Sequence, residues 1–270
     1  MAIWVDGQRQ HTVAADDRGL TLADGHFTTM LVRHGAVVLW PLHQARLAQA
    51  CERLFLAEPD WAELEREIHH AVHDQALACL RLTLTRGSAG RGYAGQCWAT
   101  PRRILSLNAF PSLYARQQQT GVALAVARIR LAVGGPLVGL KTLGRTEQVL
   151  LKQECAQRSV DDLVVLDQHG AVIEACAGNL FMVLADRIVT PPLHSAGVAG
   201  VMRQHLLILL PQLGYRVVIE PISVGQLAAC EELFISNCLM GVLPVRCLNG
   251  QALPSMATTQ HIINAGALWR

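Results

Sequence analysis

The sequence predicts a mixed α/β fold (α+β) with a small N-terminal α/β domain and a larger C-terminal one. Apolar and polar residues alternate in short segments such as CLRLTLTRG (79–87), which is typical of half-buried strands. Between Pro41 and Ala57 the apolar residues instead recur at three-to-four spacing, which predicts a helix. A chain of 270 residues is long enough for two modest domains.

The N-terminal domain is predicted to span residues 1–110. It opens with MAIWVDGQ, a short strand that enters a hairpin. The helix that begins at Pro41 is followed by a second one, for which Asp60 is the predicted N-cap and Glu63 the capping-box partner. Two further strands are predicted, at 79–87 and 102–111.

The C-terminal domain is predicted to span residues 121–270. The preceding segment, 111–120, is polar and has no clear period, so it is predicted to be a linker. The turn QHG separates two strands of a predicted hairpin. The predicted elements are strand 121–133, helix 145–158, hairpin strands 161–167 and 171–184, strand 186–192, a helix between Gly200 and Gly214, and strands 215–223 and 231–245.

Composition narrows the function classes. A net charge of +2 gives no broad electrostatic reason for binding nucleic acid. No apolar run reaches the roughly 18 residues that a membrane helix needs, and MAIWVDGQRQH has no signal-peptide pattern. The 8 cysteines form no CxxC pair and have no histidine partners at zinc spacing. We therefore expect a cytoplasmic protein with free thiols and no metal site.

Lysine is rare in this chain, which has 21 arginines but only 2 lysines. Lys141 lies in the apolar, glycine-rich run GGPLVGLKTLG (134–144). Leu140 separates Gly139 from Lys141, so the spacing of a phosphate-binding P-loop fails by one residue. Unlike arginine, a lysine in an apolar pocket can lose its proton and attack a carbonyl. The alternative is a surface lysine at a strand end, and Lys152 is predicted to be solvated on its helix.

Carbonyl chemistry at Lys141 would form a Schiff base with a substrate or with pyridoxal phosphate (PLP). PLP also needs a phosphate clamp and an acid at its pyridine nitrogen. The helix that opens at Val201 and Met202 offers unpaired backbone N–H groups for a phosphate, and Arg46 can add a guanidinium. Glu174 is a carboxylate in an apolar strand, where a buried charge needs a partner.

Seven blocks of sequence, taken together and in order, resemble the fold-type IV PLP enzymes, which include branched-chain and D-amino-acid aminotransferases. Within that family the chain is most similar to the lyases that act on 4-amino-4-deoxychorismate. The resemblance covers essentially the whole chain. The blocks are DRGLTLADGHFTT (17–29), LHQARL (42–47), TRGSAGRGY (85–93), GLKTLGR (139–145), VIEACAGNLF (172–181), GVAGVMRQ (197–204) and ISNCLMGVLPV (235–245).

The resemblance implies roles for individual residues. Lys141 would be the Schiff-base lysine and the catalytic acid/base, and Glu174 would keep the pyridine nitrogen protonated. Three further groups would hold the cofactor phosphate: Arg46, the backbone at Val201 and Met202, and the turn of Asn237 and Cys238. The family fold is a small α/β domain followed by an α/β pseudo-barrel, with PLP in the cleft between them. The resemblance also implies a homodimer.

Local markers favour a lyase within the family. Thr29 stands where branched-chain aminotransferases usually have glycine, and its hydroxyl could steer proton transfer or bind substrate. The loop RGSAGRGY makes Arg86, Arg91 and Tyr93 candidates for binding the substrate, the two arginines for its two carboxylates. The alternative is that these residues have no catalytic role. Thr29 would then be an ordinary β-branched strand residue, and the arginines of the RGSAGRGY loop would be solvated.

The implied reaction is a β-elimination that converts 4-amino-4-deoxychorismate to p-aminobenzoate and pyruvate, with substrate supplied by aminodeoxychorismate synthase. Two alternatives stay open: a fold-type IV aminotransferase for D- or branched-chain amino acids, and a non-catalytic scaffold with the PLP-enzyme fold. The chain departs from the best-known lyases at Thr142 and Gly144, which replace histidine and asparagine. Cys238 stands where relatives often have alanine or threonine.

Overall fold

A computed structural model describes residues 1–88, 90, 92–95, 100–266 and 268–269. The chain forms two compact units. The first contains Met1–Phe110 together with Leu140–Gly144, and the second contains Pro111–Gly139 and Arg145–Arg270. The short segment around Lys141 therefore belongs with the N-terminal residues, although both of its flanks belong to the second unit.

The first unit is a six-stranded antiparallel sheet with helices. Its strands are β1 (Ala2–Val5), β2 (Gln8–Arg9), β3 (Gly25–Arg33), β4 (Ala36–Val37), β5 (Leu77–Thr85) and β6 (Arg102–Ala109), in the order β2-β1-β6-β5-β3-β4. Its helices are α1 (Arg18–Thr21), α2 (Trp40–Arg53) and α3 (Trp61–Val72). The Asp60 side chain caps α3 by accepting a bond from the Glu63 N–H at 3.0 Å.

The sheet of the first unit has two different faces. Because side chains alternate along a strand, the even-numbered residues of β3 lie on one face, where Met30 and Val32 join a buried core with Leu47 of α2 and Leu64 of α3. The odd-numbered residues, among them Phe27, lie on the opposite face. Burial of one face by the helices fixes the register of β3 and decides which side chains the other face presents.

The second unit has nine strands and five helices among the residues that the structure describes. The strands are β7 (Val122–Leu131), β8 (Asp162–Asp167), β9 (Val172–Ala175), β10 (Asn179–Leu184), β11 (Arg187–Thr190), β12 (Val217–Ile219), β13 (Glu232–Asn237), β14 (Gly241–Leu248) and β15 (Gln251–Ala252). The helices are α4 (Leu113–Thr120), α5 (Thr146–Arg158), α6 (Val201–Gln212), α7 (Val224–Ala228) and α8 (Ala257–Asn264).

The strand order of this second sheet is β12-β11-β10-β13-β14-β7-β8-β9, and β15 pairs with β14. Three pairs are parallel (β7 with β8, β7 with β14, β11 with β12), and the others are antiparallel. The antiparallel pairing of β8 with β9 confirms the predicted hairpin and excludes the crossover of a nucleotide-binding sheet at this point. The mixed α/β fold class is confirmed.

A linker was predicted at 111–120. This segment belongs to the second unit, and its residues Leu113–Thr120 form helix α4. None of the residues of α4 is fully buried. A helix with no buried stripe has no apolar period that a sequence could display. Across the described ranges, no helix combines the length and apolar character needed to cross a membrane.

Candidate active site

Lys141 lies in an extended segment beside the start of β3. The Phe27 N–H donates to the Lys141 carbonyl at 3.0 Å, and the Leu143 N–H donates to the Gly25 carbonyl at 3.1 Å. The half-buried Lys141 side chain places Nζ at 4.7 Å from the centroid of the Phe27 ring. Backbone pairing on both sides of Lys141 therefore holds its amine against the outer, odd-numbered face of β3.

Thr29 and Arg81 lie on this same outer face. Thr29 is two residues after Phe27 on β3 and is directly opposite Arg81 on β5. The Arg81 guanidinium carbon is 3.9 Å from the centroid of the Phe27 ring, within the range of a cation–π interaction. The Phe27 ring therefore contacts two cationic side chains, Lys141 and Arg81, on the face that also presents Thr29. Arg81 was not among the residues predicted from the sequence, although the alternation of β5 together with its pairing with β3 places it on this face.

Arg46 lies on α2 and contacts the inner face of β3. Its Nη2 donates to Thr28 Oγ1, which is also 2.7 Å from Nδ1 of the buried His43. Burial, and then the nearby Arg46 charge, lower the pKa of His43 to about 3. His43 is therefore neutral at physiological pH, and a neutral imidazole orients Thr28 without adding charge beside Arg46.

Glu174 lies on β9 of the second unit and is only 5% exposed. Its Oε2 accepts a hydrogen bond from the Val198 N–H at 2.9 Å. A side chain at Gly197 would place its Cβ at 3.2 Å from Oε2 and 2.7 Å from Ile173, and the φ of +87° at Gly197 also requires glycine. The backbone is therefore shaped to approach this carboxylate closely.

The N-terminus of α6 has the properties of an anion site. Gly200 is the N-cap and supplies no side chain, while Val201 and Met202 are buried in the first turn. A Cβ at Gly200 would stand 2.1 Å from Asn179 Oδ1, so any larger residue would displace the Asn179 side chain. Opposite Asn179 on β13, the buried Ser236 Oγ has no hydrogen-bond partner within the described part of the chain. A helix N-terminus with a spare hydroxyl in the same region is suited to bind a phosphate.

Asn237 shapes the turn that carries Cys238. Its Nδ2 donates to the Ala177 carbonyl at 2.8 Å, and its Oδ1 accepts from the N–H groups of Leu239 and Met240 at 2.8 and 2.9 Å. Both ends of the Asn237 side chain are therefore used within the protein. Cys238 is half-buried on the turn that results.

The predicted carboxylate-binding residues Arg86, Arg91 and Tyr93 are not seen together on the face that presents Lys141 and Thr29. Arg86 is 8% exposed and donates to both oxygens of Asp24 and to the carbonyls of Leu54 and Phe55. These contacts give Arg86 a structural role, and a substrate role for it remains a prediction that they do not favour. Tyr93 is 92% exposed. Arg91 lies outside the described residues.

The prediction that Lys152 is solvated on its helix is confirmed, since its side chain is 46% exposed. Its Nζ is 3.2 Å from Oδ1 of Asp162, which is almost fully buried. Asp162 lies at the start of the neighbouring strand β8, so the sequence around α5 does not reveal this ion pair. Lys152 is a structural residue, and Lys141 is the lysine placed beside the predicted catalytic groups.

A family model described as amino-transferase class IV matches residues 25–248. The chain therefore belongs to the amino-transferase class IV family.

Relatives within this family include both lyases and aminotransferases. The chain is 34% identical over 242 residues to an aminodeoxychorismate lyase of Vibrio harveyi, covering 90% of this chain and 89% of that protein. The crystal structure of 4-amino-4-deoxychorismate lyase from Pseudomonas aeruginosa superimposes with a TM-score of 0.92 at 38% identity, covering 97% of each chain. A putative branched-chain-amino-acid aminotransferase of Methanocaldococcus jannaschii is 26% identical over 260 residues, covering 94% of this chain and 90% of that protein.

Proposed function

We propose that this chain is a PLP-dependent lyase that converts 4-amino-4-deoxychorismate to p-aminobenzoate and pyruvate. The observation that carries the proposal is the Lys141 amine, 4.7 Å from the Phe27 ring centroid, on the sheet face that also presents Thr29 and Arg81. This set provides a base, a hydroxyl and a cation. Similarity to two lyases over about nine-tenths of the chain or more supports the same reaction.

The residues present fit PLP as the cofactor. The close approach of the backbone at Gly200 suits a bound phosphate, and so does the Ser236 hydroxyl, which has no hydrogen-bond partner among the described residues. Lys141 would bind the aldehyde carbon of PLP, and Glu174 would bind its pyridine nitrogen. Arg46 and the backbone N–H groups of Val201 and Met202 would bind its phosphate. The turn of Asn237 and Cys238 would border the phosphate. PLP supplies an electron sink when bound, which makes a substrate C–H bond acidic enough to break.

Lys141 is the proposed acid/base. It removes the C4 proton of the substrate, the C3 enolpyruvyl ether bond breaks, and the departing group leaves as pyruvate after it gains a proton. The ring becomes aromatic, so the protein has mainly to position the groups and stabilise charge. The Thr29 hydroxyl is placed to hydrogen-bond the substrate or Lys141 during this transfer.

Arg81 is the proposed partner of one substrate carboxylate. Its guanidinium lies over Phe27 and directly across from Thr29, and no carboxylate of the described residues lies within ion-pair distance of it. A planar guanidinium suits a carboxylate because it can donate two parallel hydrogen bonds. Arg91 and Tyr93 remain proposed contributors from the loop, Arg91 for the second carboxylate.

The finer context of the enzyme is also proposed. The two units correspond to the small domain and the larger pseudo-barrel domain of the family, and the enzyme is a cytoplasmic homodimer. Its substrate is supplied by an aminodeoxychorismate synthase, to which the enzyme is functionally coupled.

The test is product formation. Purified protein reconstituted with PLP is incubated with aminodeoxychorismate made in situ by its synthase, and p-aminobenzoate and pyruvate are followed by chromatography. The two products are expected to appear in equal amounts. If the protein binds PLP but forms neither product, and instead transfers amino groups from D- or branched-chain amino acids to a keto acid, the aminotransferase alternative replaces the proposal.

A further inference from the structure

Arg18 is a buried arginine that the proposed chemistry does not use. It is 5% exposed and lies in the block DRGLTLADG, ahead of β3. Its backbone N–H donates to the Gly87 carbonyl at 3.0 Å. Its side chain reaches the other end of the same loop, where Nη1 donates to the Gly92 carbonyl at 2.9 Å and Nη2 to the Tyr93 carbonyl at 3.1 Å. One residue therefore ties together both ends of the loop 87–93.

Asp24 connects Arg18 to Arg86. Its Oδ2 accepts from Nε of Arg18 and from Nε of Arg86, both at 2.8 Å. Burial alone would raise the pKa of Asp24, but the bonds from Arg86 and Arg18 outweigh this and lower the pKa below its ordinary value. The carboxylate is thus ionised at neutral pH and fixes the planes of both guanidinium groups.

The return of the loop is packed against the same group. A Cβ at Gly95 would be 2.4 Å from Cδ of Arg86, so any larger residue here would displace the Arg86 side chain from its contacts. Arg86 in turn is anchored on the carbonyls of Leu54 and Phe55. The loop is therefore fastened at its start, at its end and on its return, always through Arg18, Asp24 or Arg86.

We propose that Arg18, Asp24 and Arg86 form a clamp that holds Gly87, Gly92 and Tyr93 in the arrangement that substrate binding requires. Arg18 is a positioning residue for substrate affinity and touches neither substrate nor cofactor. The substrate part of this inference rests on the proposed function, because that proposal places Arg91 and Tyr93 in contact with substrate. The clamp itself rests only on the contacts within the first unit.

Arginine is required at position 18 by the number and direction of the acceptors. One carboxylate oxygen and two carbonyl oxygens accept from three different nitrogens of the guanidinium. A lysine carries its three donors on a single atom and cannot reach acceptors spread over this width. Arg18→Lys therefore keeps the charge beside Asp24 but loses the tie to the loop.

The experiment compares Arg18→Lys and Arg18→Gln in the PLP-loaded enzyme with Arg66→Gln, a change at an exposed arginine of α3. Loss of the loop tie is expected to raise KM for aminodeoxychorismate about tenfold, with kcat changed less than about twofold, because binding is weakened before the chemical step. The absorption spectrum and affinity of bound PLP are expected to match the wild type. Arg66→Gln is expected to leave all of these unchanged.

Limited trypsin digestion provides a readout that does not depend on the reaction. Arg91 is the trypsin site within the loop, and both Arg18 variants are expected to release the 1–91 fragment faster than the wild type or Arg66→Gln. If the Arg18 variants release the 1–91 fragment faster but neither the wild type nor any variant has lyase activity, the clamp is supported and the proposed substrate is refuted. Wild-type digestion of Arg18→Lys overturns the clamp, and so does a wild-type KM in an active Arg18→Lys enzyme. If Arg18→Gln does not fold, Arg18→Lys decides both points.

Discussion

Arg81 and Arg86 lie close together in the sequence but in opposite physical settings. Arg81 points from β5 onto the outer sheet face and stacks on Phe27. Arg86 follows the end of β5 and is enclosed by Asp24 and two backbone carbonyls. Four of the five N–H groups of Arg86 are matched, so it cannot turn to a ligand without leaving buried acceptors unpaired. An arginine on an open face keeps donors for a ligand, so its setting, more than its motif, decides its role.

The largest expected effect is loss of stability in Arg86→Gln. The change removes one partner of a buried charged group and leaves the Leu54 and Phe55 carbonyls short of a donor, so the free energy of unfolding is expected to fall by about 3 kcal/mol. Urea unfolding of the wild type and variant measures this directly. If the variant keeps wild-type stability but loses affinity for the substrate, Arg86 is a binding residue and the comparison fails.

The converse result is expected for Arg81→Met. Methionine preserves the apolar contact with Phe27 and removes the guanidinium, so kcat/KM should fall by about 30-fold, or roughly 2 kcal/mol, with stability nearly unchanged. Steady-state rates over a range of substrate concentrations provide the measurement. A variant with wild-type kcat/KM would show that Arg81 does not contact the substrate.

A smaller effect is expected from Thr29→Val, with Thr28→Val as its matched partner on the opposite face of β3. Removal of the Thr29 hydroxyl should lower kcat by about tenfold, since one hydrogen bond to a reacting group is lost. Thr28 instead contacts Arg46 and His43, so its variant should weaken PLP binding more than kcat. Rates measured at saturating PLP report the effect on kcat, and a PLP titration reports the effect on cofactor binding. If only Thr28→Val loses kcat strongly, the assignment of the two threonines to the faces of β3 is reversed.

The smallest expected effect is on the pH dependence of stability. Burial, and then Arg46, lower the pKa of His43 from 6.5 to about 3, so the unfolded chain binds a proton here that the folded chain does not. The free energy of unfolding should therefore fall as the pH decreases, by about 1 kcal/mol between about pH 7 and pH 5.5 from this residue alone.

His43→Gln tests this value, because glutamine does not titrate. Urea unfolding at several pH values should show a shallower decline in the variant than in the wild type. His26, whose pKa is lowered to about 4 chiefly by burial, should maintain part of the slope in both proteins. Equal slopes in the two proteins would mean that His43 is not neutral in the folded state.

Sequence patterns predicted the strongly periodic elements because one face of each is buried. They missed β3, for which no strand was predicted, and α4, which buries no residue fully. They also missed α8 and several short elements, namely α1, α7, β4 and β15. Lys141 and Glu174 were identifiable because each is chemically unexpected in an apolar run. The partners of Lys152 and Arg86 were not identifiable, because Asp162 and Asp24 reach them only through the tertiary fold.

The sequence also does not show which face of β3 is buried. The sequence FTT shows two threonines but not which of them the helices cover, and the pairing of β3 with β5 decides it. Arg81 became a candidate only through that pairing.

The central claim is that Lys141 performs the proton transfer of a PLP-dependent lyase. The most direct measurement is the yield of p-aminobenzoate and pyruvate from aminodeoxychorismate with wild-type protein and Lys141→Ala, both supplied with PLP. The wild type should form the two products in equal amounts, and the variant should lose at least about 10³-fold in rate. Wild-type rates in a correctly folded Lys141→Ala would contradict the account.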